Sequence, residues 1–98
     1  MEFVWDEKKN RLNIKKHGLD LADAGEVFNK VLLAFPDNSQ DYGEERWISI
    51  GMLNNGTVVI VVFVEQDNDS IRIISMRKAN KNEKTRYGKE IKNRLASD

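Results

Sequence analysis

Apolar positions change their spacing along this chain, and each change predicts an element. Glu2 to Trp5 reads as a short strand. Asp6 is placed to cap a helix running to about His17, with Gly18 just past its end. A second helix is predicted from Asp20, because Leu21, Ala24, Val27 and Phe28 recur at three- and four-residue spacing and form a core face. Val31 to Phe35 is an apolar run stopped by Pro36, which suits an edge strand. Asp37 to Gly43 is polar and reads as an exposed loop. From Glu44 the period becomes two: Arg46, Ile48, Ile50 and Met52 share one face, and Trp47, Ser49 and Gly51 share the other.

Asn55-Gly56 predicts a two-residue hairpin turn. Thr57 to Glu65 is apolar on both faces, as in a mid-sheet strand. A turn at Gln66 to Asp69 leads into a strand over Ser70 to Met76, completing a three-stranded antiparallel meander. The last element is a helix capped by Asn80, with Glu83 as the reciprocal partner. Its apolar stripe is thin (Tyr87, Ile91, Leu95), and Gly88 costs about 1 kcal/mol in helix propensity. Such a helix is expected to dock loosely or to be completed by a partner. The fold class is therefore α+β, with N-terminal helices and a C-terminal helix on an antiparallel sheet. Trp5 and Trp47 are expected in the core or an interface rather than as base-stacking platforms.

The length, 98 residues, fits one domain spanning 1–98. With no cysteine, the chain offers no disulfide and no thiolate nucleophile. The longest apolar run, Val58 to Val64, is far short of the roughly 18 residues that span a bilayer. Glu2, Asp6 and Glu7 interrupt the first ten residues, against a signal peptide, so a cytoplasmic location is expected. Sixteen basic and sixteen acidic residues give a net charge of zero. That zero is a cancellation. Residues 1–20 hold five basic and four acidic side chains, residues 21–70 two and nine, and residues 71–98 nine and three, for +1, −7 and +6. A basic end can hold a polyanion whatever the total, although a charged helix is equally often just a solvated face.

Metal-ligand spacing and a Gly-rich phosphate loop are both absent from the sequence, so no metal or nucleotide cofactor is expected. What remains are isolated polar groups. Arg72 interrupts the apolar run Ile71 to Ile74, and Arg77 closes that strand. Strict alternation puts these two arginines on opposite faces unless a bulge re-aims one. Arg46 lies beside Glu44 and Glu45. Each arginine either forms a structural ion pair or receives a phosphate. Metal-free RNA cleavage needs a base for the 2′-hydroxyl, cations for the phosphorane and an acid for the leaving oxygen. Lys16, His17, Glu45, Glu83 and Tyr87 are available acids or bases, and Arg46, Arg72 and Arg77 are available cations.

At these residues the chain resembles the BrnT family of toxins from type II toxin–antitoxin systems, from Phe3 to about Tyr87. The resemblance is carried by Trp5-Asp6, Lys9, Asn13, Lys16-His17-Gly18, Ala24, Phe28, Glu45-Arg46, Gly51, Arg72-Ile73-Ile74-Ser75, Arg77-Lys78-Ala79, Glu83 and Tyr87. It implies a RelE-like fold and a ribonuclease that blocks translation. It also implies a ribbon-helix-helix antitoxin (BrnA-like), with two toxins on one antitoxin dimer, and contact with DNA only through that antitoxin. Carried over by position, Lys16, His17, Glu45, Arg46, Arg72, Arg77 and Tyr87 are the candidate RNA site. Two departures bear on activity. Met76 stands where the family usually has alanine, which shifts how Arg77 is presented, and Gln66-Asp67 stands where an arginine is common, which removes a cation. Two other readings compete: a non-catalytic antitoxin-binding partner, and a toxin of this fold with a protein target.

Overall fold

The computed structural model describes residues 1–96. Strand β1 (Glu2–Trp5) leads into helix α1 (Glu7–His17) and a 3-10 helix (Leu21–Asn29). Strands β2 (Leu33–Pro36), β3 (Trp47–Met52), β4 (Val58–Gln66) and β5 (Ser70–Lys78) follow, then helix α2 (Lys81–Ala96). The strands form one sheet in the order β1-β5-β4-β3-β2. The meander β3-β4-β5 is antiparallel as predicted. The sheet as a whole is mixed, however, because β1 pairs parallel with β5, Phe3 opposite Ile71 and Trp5 opposite Ile73. The sequence carries β1 as a lone strand, and nothing local to it specifies a partner 68 residues away.

Both ends of α1 follow from its termini. The Asp6 carboxylate accepts from the Lys9 N–H at 3.1 Å, and that hydrogen bond is the main reason its carboxyl lies below the usual aspartate range. Gly18 takes the left-handed conformation (φ 70°) and its N–H reaches the Ile14 carbonyl at 2.7 Å. The side chains that α1 buries are asparagines. Asn10 donates to Asp20 Oδ1 and accepts from the Leu21 N–H, each at 2.8 Å. Asn13 donates to the Leu19 and Met76 carbonyls at 2.9 Å and accepts from the Met76 N–H. Beyond Ile73, β5 has no strand on its outer side among the described residues, and Asn13 satisfies the backbone there.

The second predicted helix is a 3-10 helix. Its buried residues, Leu21, Ala24 and Val27, are spaced by three, which lines one face of a three-residue turn. Close packing holds it to the sheet: a Cβ on Gly25 would stand 2.8 Å from the Phe3 ring. The β3–β4 connection is also longer than predicted. Leu53 N–H bonds to Thr57 O, and Gly56 N–H returns to Leu53 O, so Asn54-Asn55-Gly56 is a three-residue loop with Gly56 at φ 90°.

Two apolar clusters cover the two faces of the sheet. On one face Leu21, Val27, Val59, Val61, Phe63, Ile71, Ile73 and Met76 pack with the 3-10 helix, flanked by Trp5 and Trp47. On the other, Ile50, Ile60, Ala79 and Tyr87 pack with Ile48 and Ile91. Helix α2 lies on this second face. Asn80 and Glu83 exchange hydrogen bonds at 2.8 and 2.9 Å, the predicted reciprocal cap. The apolar stripe of α2 ends at Ile91, because Leu95 is 70% exposed.

Candidate functional site

Strand β5 pairs regularly with β4 until Ser75 stands opposite Val62. The next pair is Ile73 with Phe63, so Ile74 is an extra residue and β5 bulges there. Its effect is to reset the alternation. Ile71, Ile73 and Met76 all point into the first cluster. Arg72 and Arg77, opposite Val64 and Ile60, therefore share the other face, the one that carries α2. Arg46 precedes Ile48 by two residues and joins the same face. Along β5 the two arginines are about 13 Å apart, four strand steps.

The arginines form two groups. Arg72 and Arg46 converge on one carboxylate. Glu44 Oε1 accepts from Arg72 Nη2 at 2.7 Å, Oε2 accepts from the same nitrogen, and Arg46 Nε stands 3.7 Å from Oε2. The Arg46 guanidinium also lies 3.9 Å from the centre of the Tyr42 ring. Nε of Arg46 and Nε of Arg72 are both buried and have no hydrogen-bond acceptor among the described residues. In the second group Arg77 holds both oxygens of Glu83 at 2.9 Å. These hydrogen bonds raise the arginine's already high pKa and, with the Asn80 N–H, keep the Glu83 carboxyl below its usual range.

The other candidates lie at the edge of this face, in the loop beside it or beneath it. Lys16 and His17, at the end of α1, line a groove of about 260 Å³ with Lys9, Leu12 and Asn13, and the bulge residues Ile74 and Ser75 form its far wall. Glu45 is exposed beside Glu44, without a partner among the described residues. Tyr87 is 3% exposed, and its hydroxyl donates to the Val31 carbonyl at 2.7 Å. Burial pushes its phenol above the usual value. Met76 is fully buried on the face opposite Arg77, and Arg77 remains engaged with Glu83.

Sequence reasoning offered Glu44 and Glu45 alike as partners for Arg46; that Glu44 is the partner, and that Arg72 shares it, is the residue-level point it missed. The signal was present: Glu44 has the same parity as Arg46, Ile48 and Ile50, whereas Glu45 has the opposite one. Asn10 and Asn13 were less accessible, since nothing in a helix so polar marks two asparagines as its buried side. Among the described residues no group of three or more His, Asp or Glu is arranged to hold a metal ion. No helix among them is long and apolar enough to cross a membrane.

Comparison with known proteins agrees with this architecture. The family model described as "Ribonuclease toxin, BrnT, of type II toxin-antitoxin system" matches residues 5–83. The crystal structure of the Brucella abortus ribonuclease toxin BrnT, determined at 1.1 Å, superposes with a TM-score of 0.66 at 32% identity, covering 83% of this chain and 99% of that one. No curated protein matches. The matched segment takes in α1, strands β2 to β5 and the cap of α2, and so contains both arginine groups and the His17 groove: the chain belongs to the BrnT family of ribonuclease toxins of type II toxin–antitoxin systems.

Proposed function

We propose that this protein is a metal-independent endoribonuclease that cleaves RNA, inhibits translation and acts in the cytoplasm until an antitoxin binds it. The observation that carries this reading is the bulge at Ile74, which puts Arg72 and Arg77 on one sheet face, where Arg46 joins them through Glu44. Phosphate oxygens are strong acceptors for such guanidinium groups, and two buried Nε–H donors there lack an acceptor among the described residues. Arg77 and Arg72 stabilise the charge that develops on the phosphorane. His17 and Glu45, neither with a partner among the described residues, are the proposed proton carriers, and either serves as base or acid. Tyr87 would first have to break its bond to Val31 O. The partner is a ribbon-helix-helix antitoxin of the BrnA kind, two toxins to one antitoxin dimer.

Arg77→Ala tests the assignment. It is expected to abolish RNA cleavage while the circular dichroism spectrum stays that of a folded chain, with the thermal midpoint lowered only by loss of the Arg77–Glu83 bonds; full activity in a folded variant rejects it. Cleavage is also expected to proceed unchanged in excess EDTA, and strong inhibition would point to a metal-dependent reaction. One observation favours a second reading: both arginine groups already hold carboxylates, Glu44 and Glu83. On that reading the arginines are structural and the chain is a non-catalytic antitoxin partner. Purified protein that cleaves no RNA and causes no growth arrest on expression would select it.

A further inference from the structure

The face that carries the arginines also carries a cavity. It has a volume of about 330 Å³ and lies between α2 and the outer strands. Its floor is Ile50 and Ile60, each buried, with Ile48 beside them. Phe35 forms one wall, and the Arg86 guanidinium lies 4.0 Å from the centre of that ring. Asn82 and Glu83, from the first turn of α2, form the polar edge. Ile60 is directly opposite Arg77 in the sheet, and Glu83 is the residue that Arg77 grips. The cavity therefore opens one strand away from a proposed phosphate-stabilising arginine.

Resting on the ribonuclease reading, we infer that this cavity is a nucleobase subsite, holding one base of the RNA next to the phosphate that is cut. Three features select a base as the occupant. The volume is at the small end for ligand pockets, and it has no room for the several successive anchors of a docking helix. Its apolar floor and aromatic wall suit a planar ring, while cations stand on both sides, Arg77 toward β5 and Arg86 at the rim, as the phosphates flanking a base require. The Asn82 carboxamide has no partner among the described residues and offers a donor and an acceptor side by side, the pattern that reads a base edge. Glu83 keeps lone pairs beyond its bonds to Arg77 and Asn80, so a base bearing an amino group gains a second contact.

The test measures binding by fluorescence anisotropy. The probes are labelled 2′-O-methyl tetranucleotides, which lack the attacking hydroxyl, with A, C, G or U at each position in turn. The intact protein is expected to prefer one base at one position by about tenfold, the scale of a good edge contact. Asn82→Ala should reduce that preference to about twofold or less, and Asn82→Asp should reorder it. Phe35→Ala should weaken every probe. Equal binding of all four bases, or a preference untouched by Asn82→Ala, overturns the inference. So does loss of antitoxin binding in these variants with oligonucleotide binding intact, which would make the cavity a protein surface. Base discrimination by a protein that cleaves no RNA supports the subsite and rejects the ribonuclease reading. Cleavage of RNA by a protein that shows no base preference does the reverse.

Discussion

Glu44 is the residue on which the two accounts of this face divide. It accepts from Arg72 and stands beside Arg46, so it occupies the position a phosphate oxygen would take. As a resident carboxylate, it must leave or share the guanidinium groups when RNA binds. Glu44→Gln is therefore expected to tighten RNA binding several-fold at low salt. It should also steepen the dependence of log K on log salt by about one unit, the contribution of one additional phosphate contact. Weaker binding in that variant would mean that Glu44 positions the arginines instead. The asparagines of α1 make a related point. Leu12 and Ile14 are exposed while Asn10 and Asn13 are buried, so hydrogen bonds, rather than apolar area, anchor this helix.

At the scale of elements, the cap of α2 couples the helix to Arg77 through Glu83. The folded pKa of Glu83 lies below its ordinary value of 4.5, chiefly because Arg77 hydrogen-bonds to it. Its contribution to stability is thus fully present above about pH 4.5 and is lost as pH falls through the lower folded value. Urea unfolding between pH 6 and 3 should show this loss, and Glu83→Gln should remove part of the slope. Gly51 tests the packing between the sheet and the 3-10 helix. A Cβ there would stand 2.7 Å from Val27 Cβ, so Gly51→Ala should cost about 1–3 kcal/mol by overpacking and lower the thermal midpoint by several degrees. Most elements were legible in the sequence because their signals are local: Asp6, Gly18, Asn80 with Glu83, and the alternation from Arg46 to Met52. What was not legible is non-local. The parallel pairing of β1 with β5 and the Asn13–Met76 bonds join distant segments, and the bulge at Ile74 exists only relative to β4. That single residue decided whether the candidate arginines would meet.

For the whole molecule, the charge asymmetry of the sequence becomes a spatial one. The basic segment 71–98 contributes β5 and α2, which border the arginine face, while the acidic middle supplies the loop that carries Glu44 and Glu45. RNA binding by the intact protein should weaken steeply between 50 and 200 mM salt, by about tenfold or more if several phosphates are held; insensitivity to salt would exclude the basic face as the contact. The unpaired Ile74 has one more consequence. Upstream of it Ile71 and Ile73 face the core, and downstream Met76 does, with the two arginines opposite them on either side. Deleting Ile74 alone would remove the bulge and leave every other β5 residue opposite its present β4 partner, so the isoleucines would stay inside and both arginines on one face. The arginine alignment therefore depends on each half of β5 keeping its register with β4, and the extra residue is what that register leaves over. Loss of Ile74 is thus a change this surface can absorb, whereas a residue added beside it would need a further bulge to keep the arginines together.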